Sequence, residues 1–427
     1  METRIIRNEE GIMTKELEQR INDENGALEV RLHGRYEWEE GSGNSFCIGK
    51  SFVKGAISIK RPNVIIDGSD AEIIVNITDT AGDWSLFFVQ PKAWNVVLKN
   101  LKIRINAKII EHCTRMLCAV YNTAYGLKIE NCHIELHAEK QIRLVGVYNN
   151  GNLNTHMETR ADNLVISNSY IRAECYATEY AKACMVYGLY NYLANSISMQ
   201  NTFVYATNSG GGEQQKAIGV YTNGRFGRFI GNNIKANGAH NVGKLKEQAH
   251  AYGFINEGLY SVISANNIVG EWAGKCVGLD NHGEYALVST NKILATHTIC
   301  GRSVRNYANN SSIDGNILTS TSRNARLIEH NAKYCVISRN VMEVLMDPND
   351  CQSGCGIYAV GGNVGENVIT QNVIKNVKDC GIFADKTVGE VRGNLVISWP
   401  NTVKQAGQED VLLKKRLDES NVRSIYG

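Results

Sequence analysis

Three charged residues recur at almost equal intervals in the middle of the chain. Asp280, Arg305 and Glu329 are 25 and 24 residues apart, and each takes the third place of a short motif that elsewhere carries tyrosine. The motif reads small, aliphatic, variable and usually asparagine, as in GVYNN at Gly146 and GLDNH at Gly278. Two carboxylates beside a guanidinium suit acid and base chemistry on a neutral substrate such as a sugar.

The spacing of these residues makes a prediction about mechanism. If they stand on consecutive stacked strands about 4.8 Å apart, Asp280 and Glu329 are on the order of 9 to 10 Å apart, with Arg305 between them. Inverting glycosidases hold their two carboxyl groups about 6.5 to 9.5 Å apart, and retaining ones about 5 Å. We therefore expect Asp280 and Glu329 to share the acid and base roles of a glycoside hydrolase or transglycosidase. Arg305 would keep one carboxylate ionised, and burial would raise the pKa of the other.

Other side chains in the same motifs are candidates for binding the substrate. His282 and His330 lie on or just beyond the same strands and are predicted to bind hydroxyl groups or relay protons. Aromatic rings pack on the apolar faces of sugars. The rings predicted to bind the substrate are those of Tyr148, Tyr190, Tyr221 and Tyr358. Two structural alternatives remain, since stacked tyrosines stabilise a sheet by themselves and Asp280, Arg305 and Glu329 could be a surface ion-pair ladder.

A repeat of about 25 residues must position these side chains. The motif's third place is held in turn by Tyr121, Tyr148, Tyr190, Tyr221, Ile255, Asp280, Arg305, Glu329, Tyr358 and Phe383. A second motif follows each copy, as in NLVISNSYI at Asn163 and SVISANNIV at Ser261. Short strands at such a period bury a face only when they stack coil upon coil. The sequence therefore predicts an all-β, right-handed parallel β-helix of roughly 10 to 12 coils with short terminal helices.

Strand alternation predicts where the columns of this repeat point. The aliphatic column, from Val120 through Leu279 to Ile382, should face the interior, and the tyrosine column should face out. Asparagines such as Asn131, Asn291 and Asn316 are expected at bends, bonded to their equivalents in the next coil. Small residues two places before the tyrosines should form a smooth outer strip beside the rings. This strip comprises Ala119, Gly146, Gly188, Gly219, Gly253, Gly278, Ser303, Leu327, Gly356 and Gly381.

The two ends of the chain do not follow the repeat. We predict an N-terminal helix and capping region over residues 1–54, a β-helix over residues 55–400 and a C-terminal capping tail over residues 401–427. Thr14, Leu17 and Ile21, followed by Asn25 and Gly26, indicate a short helix in the first region. Such a helix would cover the open strand edge of the coil. EDVLLKKRLDES after Gly407 is a candidate for a second helix.

The Asn-punctuated repeat resembles that of the right-handed parallel β-helix proteins of the pectate-lyase-like superfamily, over about residues 55–400. SVISANNIV and KCVGLDNHG resemble stretches of the fructan fructotransferases and difructose-anhydride hydrolases. Gly278 stands where that family has a glutamate. The resemblance implies a carbohydrate-active enzyme, and because trimers are common in this fold, it also makes a homotrimer possible.

Two other functions fit the same residues. A polysaccharide lyase would use Arg305 or a tyrosine as its base, and would need calcium or an arginine to neutralise a uronate. A non-catalytic glycan-binding β-helix, similar to a phage tailspike, would bind sugar without turnover. The expected partner in each case is an oligosaccharide or polysaccharide.

Composition excludes several other classes of partner. A formal net charge of +2 gives no strong field for nucleic acid or an anionic membrane. The start, METRIIRNEEGIM, carries charges where a secretory signal needs an apolar run, and no stretch approaches the ~18 apolar residues of a membrane span. Twelve cysteines are scattered without paired metal-ligand spacing. We expect a cytoplasmic protein with no cofactor, calcium being needed only by a lyase.

Overall fold

The computed structural model describes residues 3–7, 14–26, 28–39, 45–48, 51–77, 83–107, 116–139, 143–151, 161–176, 185–209, 215–238, 249–347, 350–361, 363–384, 388–398 and 423–424. These residues form 39 strands and one helix, α1 (Thr14–Asn22). The second predicted helix, after Gly407, lies outside the described residues, as do most of residues 401–427.

One sheet contains every copy of the tyrosine motif and is called the tyrosine sheet below. Its strands pair in the order in which they occur along the chain. They are β3 (Ser45–Ile48), β4 (Ser51–Ile59), β6 (Asp83–Val89), β9 (Met116–Asn122), β12 (Arg143–Asn150), β15 (Met185–Tyr192), β18 (Lys216–Thr222), β21 (His250–Asn256), β24 (Lys275–Asn281), β27 (Cys300–Asn306), β30 (Asn324–His330), β33 (Ser353–Ala359) and β36 (Cys380–Ala384). All described pairs are parallel except β3 with β4.

A second sheet of 26 strands is built from two further strands in each coil. The shorter strands are β7 (Val97–Lys99), β10 (Lys128–Glu130), β13 (Val165–Ser167), β16 (Ser198–Gln200), β19 (Arg228–Ile230), β22 (Val262–Ser264), β25 (Leu287–Ser289), β28 (Ser312–Asp314), β31 (Val336–Ser338), β34 (Val368–Thr370) and β37 (Glu390–Arg392). The longer strands are β8 (Lys102–Ala107), β11 (His133–Ala138), β14 (Tyr170–Cys175), β17 (Phe203–Asn208), β20 (Asn233–Asn237), β23 (Asn267–Glu271), β26 (Lys292–Thr296), β29 (Ile317–Ser320), β32 (Val341–Val344), β35 (Val373–Val377) and β38 (Leu395–Ser398). The same sheet contains β1 (Thr3–Arg7), β2 (Glu29–Glu39), β5 (Ile65–Ile77) and β39 (Arg423–Ser424).

Each strand pairs with its equivalent one coil later, so the described chain is a right-handed parallel β-helix, as the repeat predicts. Twelve strands of the tyrosine sheet, β4 through β36, run parallel, one in each coil. The parallel pairing begins at β1 and β2, before residue 55, where the repeat was predicted to start. No described helix is long and apolar enough to cross a membrane.

The predicted inward column is confirmed as the centre of the core. Val120, Leu279, Ile382 and their equivalents are completely buried in one apolar cluster. They pack against central residues of the short strands, such as Ile263 and Ile313, which belong to the same cluster. Burying one such side chain contributes roughly 1.5 to 3 kcal/mol, so the core gains stability with every added coil.

Asparagines form ladders along the coil axis, but the predicted single column is in fact two adjacent columns. Asn291 and Asn316 belong to a buried ladder, in which the amide of each bonds the side-chain oxygen of the next at 3.0 Å. Asn131 and Asn168 stand one place earlier, at turns with positive φ. A further buried ladder ends the strands of the tyrosine sheet, where Asn281 donates to Asn306 at 2.7 Å. These amides satisfy buried backbone groups at the bends.

Helix α1 covers part of the open end of the coil, as predicted. Leu17 and Ile21 are completely buried in the main core. The Asn22 amide donates to the Ser58 carbonyl at 2.8 Å and accepts from the Lys60 backbone N–H at 2.7 Å. The helix therefore occupies backbone groups at the end of β4 and just after it that another strand would otherwise use.

Candidate functional site

Two rows of side chains point outward from the tyrosine sheet. The first, called the tyrosine row, is the predicted one, and its register is confirmed because Asp280 pairs with Arg305 and Arg305 with Glu329 on successive strands. The second, called the companion row, stands three residues earlier and holds Val145, Tyr187, Ile218, Tyr252, Val277, Arg302, Arg326 and Cys355. Members of both rows pack together in an apolar cluster separate from the main core.

The predicted outer strip of small residues is wrong, because these residues face the interior. A Cβ added at Gly278 would lie 2.3 Å from Cγ2 of the buried Ile293. Leu327 and Ala119, which occupy the same column, belong to the main core. The strand bends at this place, so two successive residues point inward and strict alternation fails. The outer neighbours of the tyrosine row are therefore the larger side chains of the companion row.

The N-terminal half of this face is aromatic. Tyr148 stacks on Tyr190 with ring centroids 5.0 Å apart, and Tyr190 lies 4.9 Å from Tyr221. The Arg143 guanidinium lies 5.2 Å from the Tyr190 ring centroid, a cation–π contact. Burial, followed by a hydrogen bond to Glu257 at 2.5 Å, raises the pKa of the Tyr221 hydroxyl. Tyr148, Tyr190 and Tyr221 are all partly exposed, so the edges of a continuous row of rings reach solvent.

The C-terminal half of the face is charged, and Asp280 lies at its start. Asp280 is 2% exposed, and its carboxylate accepts two hydrogen bonds from Arg305, one of them from Nε at 2.6 Å. Nε2 of His282 lies 3.0 Å from the same carboxylate. Burial alone would raise the pKa of Asp280, but His282 and Arg305 hold it below its usual value. The Arg305 guanidinium also lies between the rings of Tyr252 and Tyr307, at 5.7 and 5.5 Å.

Glu329 is held by a different set of groups. Its carboxylate accepts from Arg302 Nε at 2.5 Å, from Arg326 Nη1 at 2.9 Å and from the Tyr307 hydroxyl at 2.9 Å. Burial opposes ionisation here, but the charge and hydrogen bond of Arg302, with Tyr307 and Arg326, lower the pKa of Glu329 to about 2. Glu329 is therefore an ionised carboxylate throughout the physiological range.

The expected division of roles between the two carboxyl groups is not what the structure shows. Both pKa values are lowered, so neither Asp280 nor Glu329 is poised as a carboxylic acid. Arg305 pairs with Asp280, while Glu329 is paired by arginines that the sequence analysis did not select. Arg302 and Arg326 stand three places before the tyrosine row, and Tyr307 stands two places after it. Charged and aromatic residues at these two offsets from the tyrosine row were the signal in the sequence that could have identified them as site residues.

The remaining predicted site residues divide into two groups. His282 is partly exposed, and its ring lies 5.3 Å from that of Tyr307, so it belongs to the site. Tyr358 also belongs to it, with the Arg326 guanidinium 3.8 Å from its ring centroid. The prediction that His330 binds the substrate is wrong. His330 is completely buried at the end of an asparagine ladder, with Nδ1 3.2 Å from the Asn306 amide. Burial lowers the pKa of His330 to about 4, so the ring is a neutral part of the core.

The charged half carries more cations than anions. Arg302, Arg305 and Arg326 face Asp280 and Glu329, and Lys275 adds a positive charge at the start of β24. Burial, and then the charge of Arg305, lower the pKa of Lys275. Among the described residues, no three His, Cys, Asp or Glu side chains cluster as metal ligands.

No protein-family model matches the sequence, and no curated protein matches it in sequence. Several solved structures resemble the chain. The tailspike protein of E. coli bacteriophage HK620, solved with a pentasaccharide, is 10% identical, with a TM-score of 0.47 over 89% of this chain and 61% of that one. Tailspike protein 3 of bacteriophage CBA120 is 12% identical, with a TM-score of 0.48 over 92% and 61%.

The surface adhesin PfbA of Streptococcus pneumoniae is 11% identical, with a TM-score of 0.46 over 88% of this chain and 83% of that one. This chain spans 60% of the Dettilon tailspike and 61% of the HK620 tailspike. By its own strand pairing, the chain is a right-handed parallel β-helix protein whose tyrosine sheet presents a half-aromatic, half-charged outer face.

Proposed function

We propose that the protein binds an oligosaccharide along the outer face of the tyrosine sheet. The observation that carries the proposal is the continuity of this face, because Tyr148, Tyr190 and Tyr221 lead in register to Asp280, Arg305 and Glu329. Rings bind the apolar faces of sugars, while the partly exposed side chains of His282, Arg326 and Glu329 offer donors and acceptors to hydroxyl groups.

The finer proposal is that the bound glycan is cleaved by a glycoside hydrolase or transglycosidase mechanism. In this mechanism Glu329 and Asp280 remain ionised, and the proton is handled by His282, which Asp280 orients through the 3.0 Å contact at Nε2. Protonated His282 would donate its Nδ1 proton to the leaving glycosidic oxygen as the C–O bond breaks, and Glu329 would accept a proton from the water or sugar hydroxyl that attacks the same carbon. The acid role expected for a carboxyl group passes to His282 because both carboxylates are stabilised by arginines.

Non-catalytic glycan binding is the second candidate, and one observation favours it. Both carboxylates are already bound by arginine side chains, an arrangement that serves recognition as readily as catalysis. A lyase that acts on acidic sugars is the third candidate, because the excess of cations in the charged half could neutralise a uronate.

A panel of neutral and acidic oligosaccharides tests the proposal. We expect binding by the wild-type protein, and Tyr190→Ala should weaken it about three- to tenfold, because an aromatic contact is worth about 0.5 to 1.5 kcal/mol. Tyr170→Ala is the matched control, since Tyr170 stacks on Phe203 at 4.8 Å on the other sheet. An equal loss in both variants would contradict the proposed face.

Product analysis separates the three readings. New reducing ends indicate hydrolysis, an unsaturated product that absorbs in the ultraviolet indicates a lyase, and binding without turnover indicates a recognition protein. His282→Ala should abolish turnover while retaining binding if the finer proposal holds.

A further inference from the structure

A column of exposed aromatic side chains lies at the turns that follow the tyrosine sheet, in coils from that of Tyr221 to that of Glu329. Phe226, Tyr260, Tyr285 and Tyr334 are 54%, 45%, 48% and 54% exposed. Each stands five residues after a member of the tyrosine row, at Tyr221, Ile255, Asp280 and Glu329. We call these four residues the aromatic ridge.

The backbone of the ridge is unusual for aromatic residues. All four have φ between 58° and 61°, the left-handed region that bulky side chains rarely adopt. Their backbone N–H groups bond the next coil in one repeated pattern, as Tyr260 does to Glu284 and Tyr285 to Asn309. The equivalent turns of other coils hold small or polar residues at positive φ, namely Asn63, Asn95, Gly126, Asn163, Ser196, Asn310 and Glu366. Strained residues of this kind, exposed rather than buried, indicate a function other than folding.

The rings of the ridge form a stack with a gap. Phe226 lies 5.4 Å from Tyr260, and Tyr260 lies 4.9 Å from Tyr285, with interplanar angles of 11° and 13°. Asn310, which is exposed, then takes the place of a ring before Tyr334 continues the column. Tyr285 and Tyr334 are thus two coils apart, or about 9 to 10 Å. A ring in contact with an aromatic face on both sides needs about 7 to 8 Å, so the gap admits one sugar ring.

The ridge lies in the same coils as the candidate site, a few residues further along the chain, so a glycan bound at the site is the occupant we consider. His282 and Tyr285 are three residues apart in one coil, and Tyr307 and Asn310 are three apart in the next. We propose that the aromatic ridge is a second carbohydrate subsite, in which one sugar of the glycan on the tyrosine sheet stacks over Asn310 between Tyr285 and Tyr334. This inference rests on the proposed function, because the same glycan occupies both surfaces.

Substitutions already present in the column supply variants that should fold. Tyr285→Asn places at this turn the residue found at Asn310, and relieves the strained aromatic backbone. Asn310→Tyr completes the stack and fills the gap. Tyr125→Asn is the control, because Tyr125 is a similarly exposed aromatic residue outside the ridge.

The experiment compares affinities for the oligosaccharide that the wild-type protein binds best in an array, and for the disaccharide cut from it. We expect Tyr285→Asn and Asn310→Tyr to weaken binding of the longer glycan about three- to tenfold, the usual size of one aromatic contact, with the disaccharide unchanged. The unfolding midpoint of Tyr285→Asn should equal or exceed that of the wild type. The control should match the wild type throughout.

Two results would overturn the inference while leaving the proposed function standing. One is unchanged affinity of both ridge variants for the longer glycan when Tyr190→Ala weakens it. The other is a change in sedimentation without a change in affinity, which would make the ridge a contact between copies of the chain. If the wild-type protein binds no glycan, the proposed function fails and this inference fails with it.

Discussion

Asp280 and Glu329 are held by different arginines, and this division sets what each carboxylate can do. Arg305 and His282 bind Asp280, while Arg302, Arg326 and Tyr307 bind Glu329. A carboxylate buried among such donors stays ionised, because the pairing more than offsets the loss of hydration. The candidate site is therefore a set of fixed charges rather than a carboxylic acid beside a carboxylate.

Asp280→Asn should destabilise the protein strongly, because it leaves Arg305 largely buried opposite a neutral group. Removing one partner of a buried ion pair costs about 3 to 5 kcal/mol. Asp314→Asn is the matched control, since Asp314 also receives two hydrogen bonds from one arginine of the next coil, but on an exposed surface. Urea unfolding measures both variants, and equal midpoints would show that the Asp280 pair contributes no more than a surface pair.

The ion pairs of Glu329 should make the stability of the folded protein decrease at acidic pH. Its pKa of about 2 in the folded protein lies below the value of about 4.3 in an unfolded chain. Its stabilising contribution is therefore complete above about pH 5 and is lost as the pH falls toward 2. Glu329→Gln should lower the thermal midpoint at pH 7, and the gap to the wild type should close as the pH falls. A gap that does not change with pH would contradict the ion pairing.

At the scale of single elements, the asparagine ladders fix how one coil sits on the next. The Asn291 side chain accepts from the Asn266 backbone N–H at 2.9 Å and donates to the Ile263 carbonyl at 2.8 Å. Both bonds satisfy buried backbone groups at a bend, where no strand partner is available. The ladder thus lets each coil turn without leaving polar groups without partners in the core.

Asn291→Ala should remove both bonds and destabilise the protein by about 1 to 3 kcal/mol for each buried group left without a partner. Asn233→Ala is the control, because Asn233 accepts an amide bond from Asn267 at 3.1 Å on an exposed surface. Denaturant unfolding of the two variants gives the comparison. If Asn233→Ala lowered the free energy of unfolding as much as Asn291→Ala, the burial of the ladder would not explain its contribution to stability.

At the scale of the whole molecule, a stack of parallel coils has two open ends. The N-terminal end is covered in part by α1, through Leu17, Ile21 and the Asn22 side chain. Uncovered strand edges recruit strands of other molecules, so the cap bears on solubility as well as stability. A terminal coil has a neighbour on one side only, so a segment that differs from the repeat is needed to cover its other side.

Asn22→Ala should therefore lower the temperature at which the protein aggregates, because it frees the Ser58 carbonyl, in the part of β4 that β3 does not pair, and the Lys60 N–H just after β4. Glu16→Ala is the control in the same helix, since Glu16 pairs with Arg20 on the exposed face. Light scattering during heating measures the difference. If both variants aggregate at one temperature, α1 is not the element that protects this edge.

The sequence by itself determined the period, the parallel β-helix, the inward column from Val120 to Ile382, the register of Asp280 with Arg305 and Glu329, and helix α1. These follow from spacing along the chain, because stacking identical coils turns a constant interval into a neighbour relation. The sequence also predicted asparagines at the bends, but the predicted single column is two adjacent columns in the structure.

Only the tertiary structure decided which way Gly278 faces, which arginines hold Glu329, and that His330 is buried. The bend at the glycine makes two successive residues point inward, and no periodic pattern of residue types records that change. The pKa values follow the same logic, because they depend on the distances from Arg302 and Arg326 to a carboxylate and on how much water the packed strands exclude. Distances through space and exclusion of water belong to the folded chain, whereas the interval between repeats belongs to the sequence.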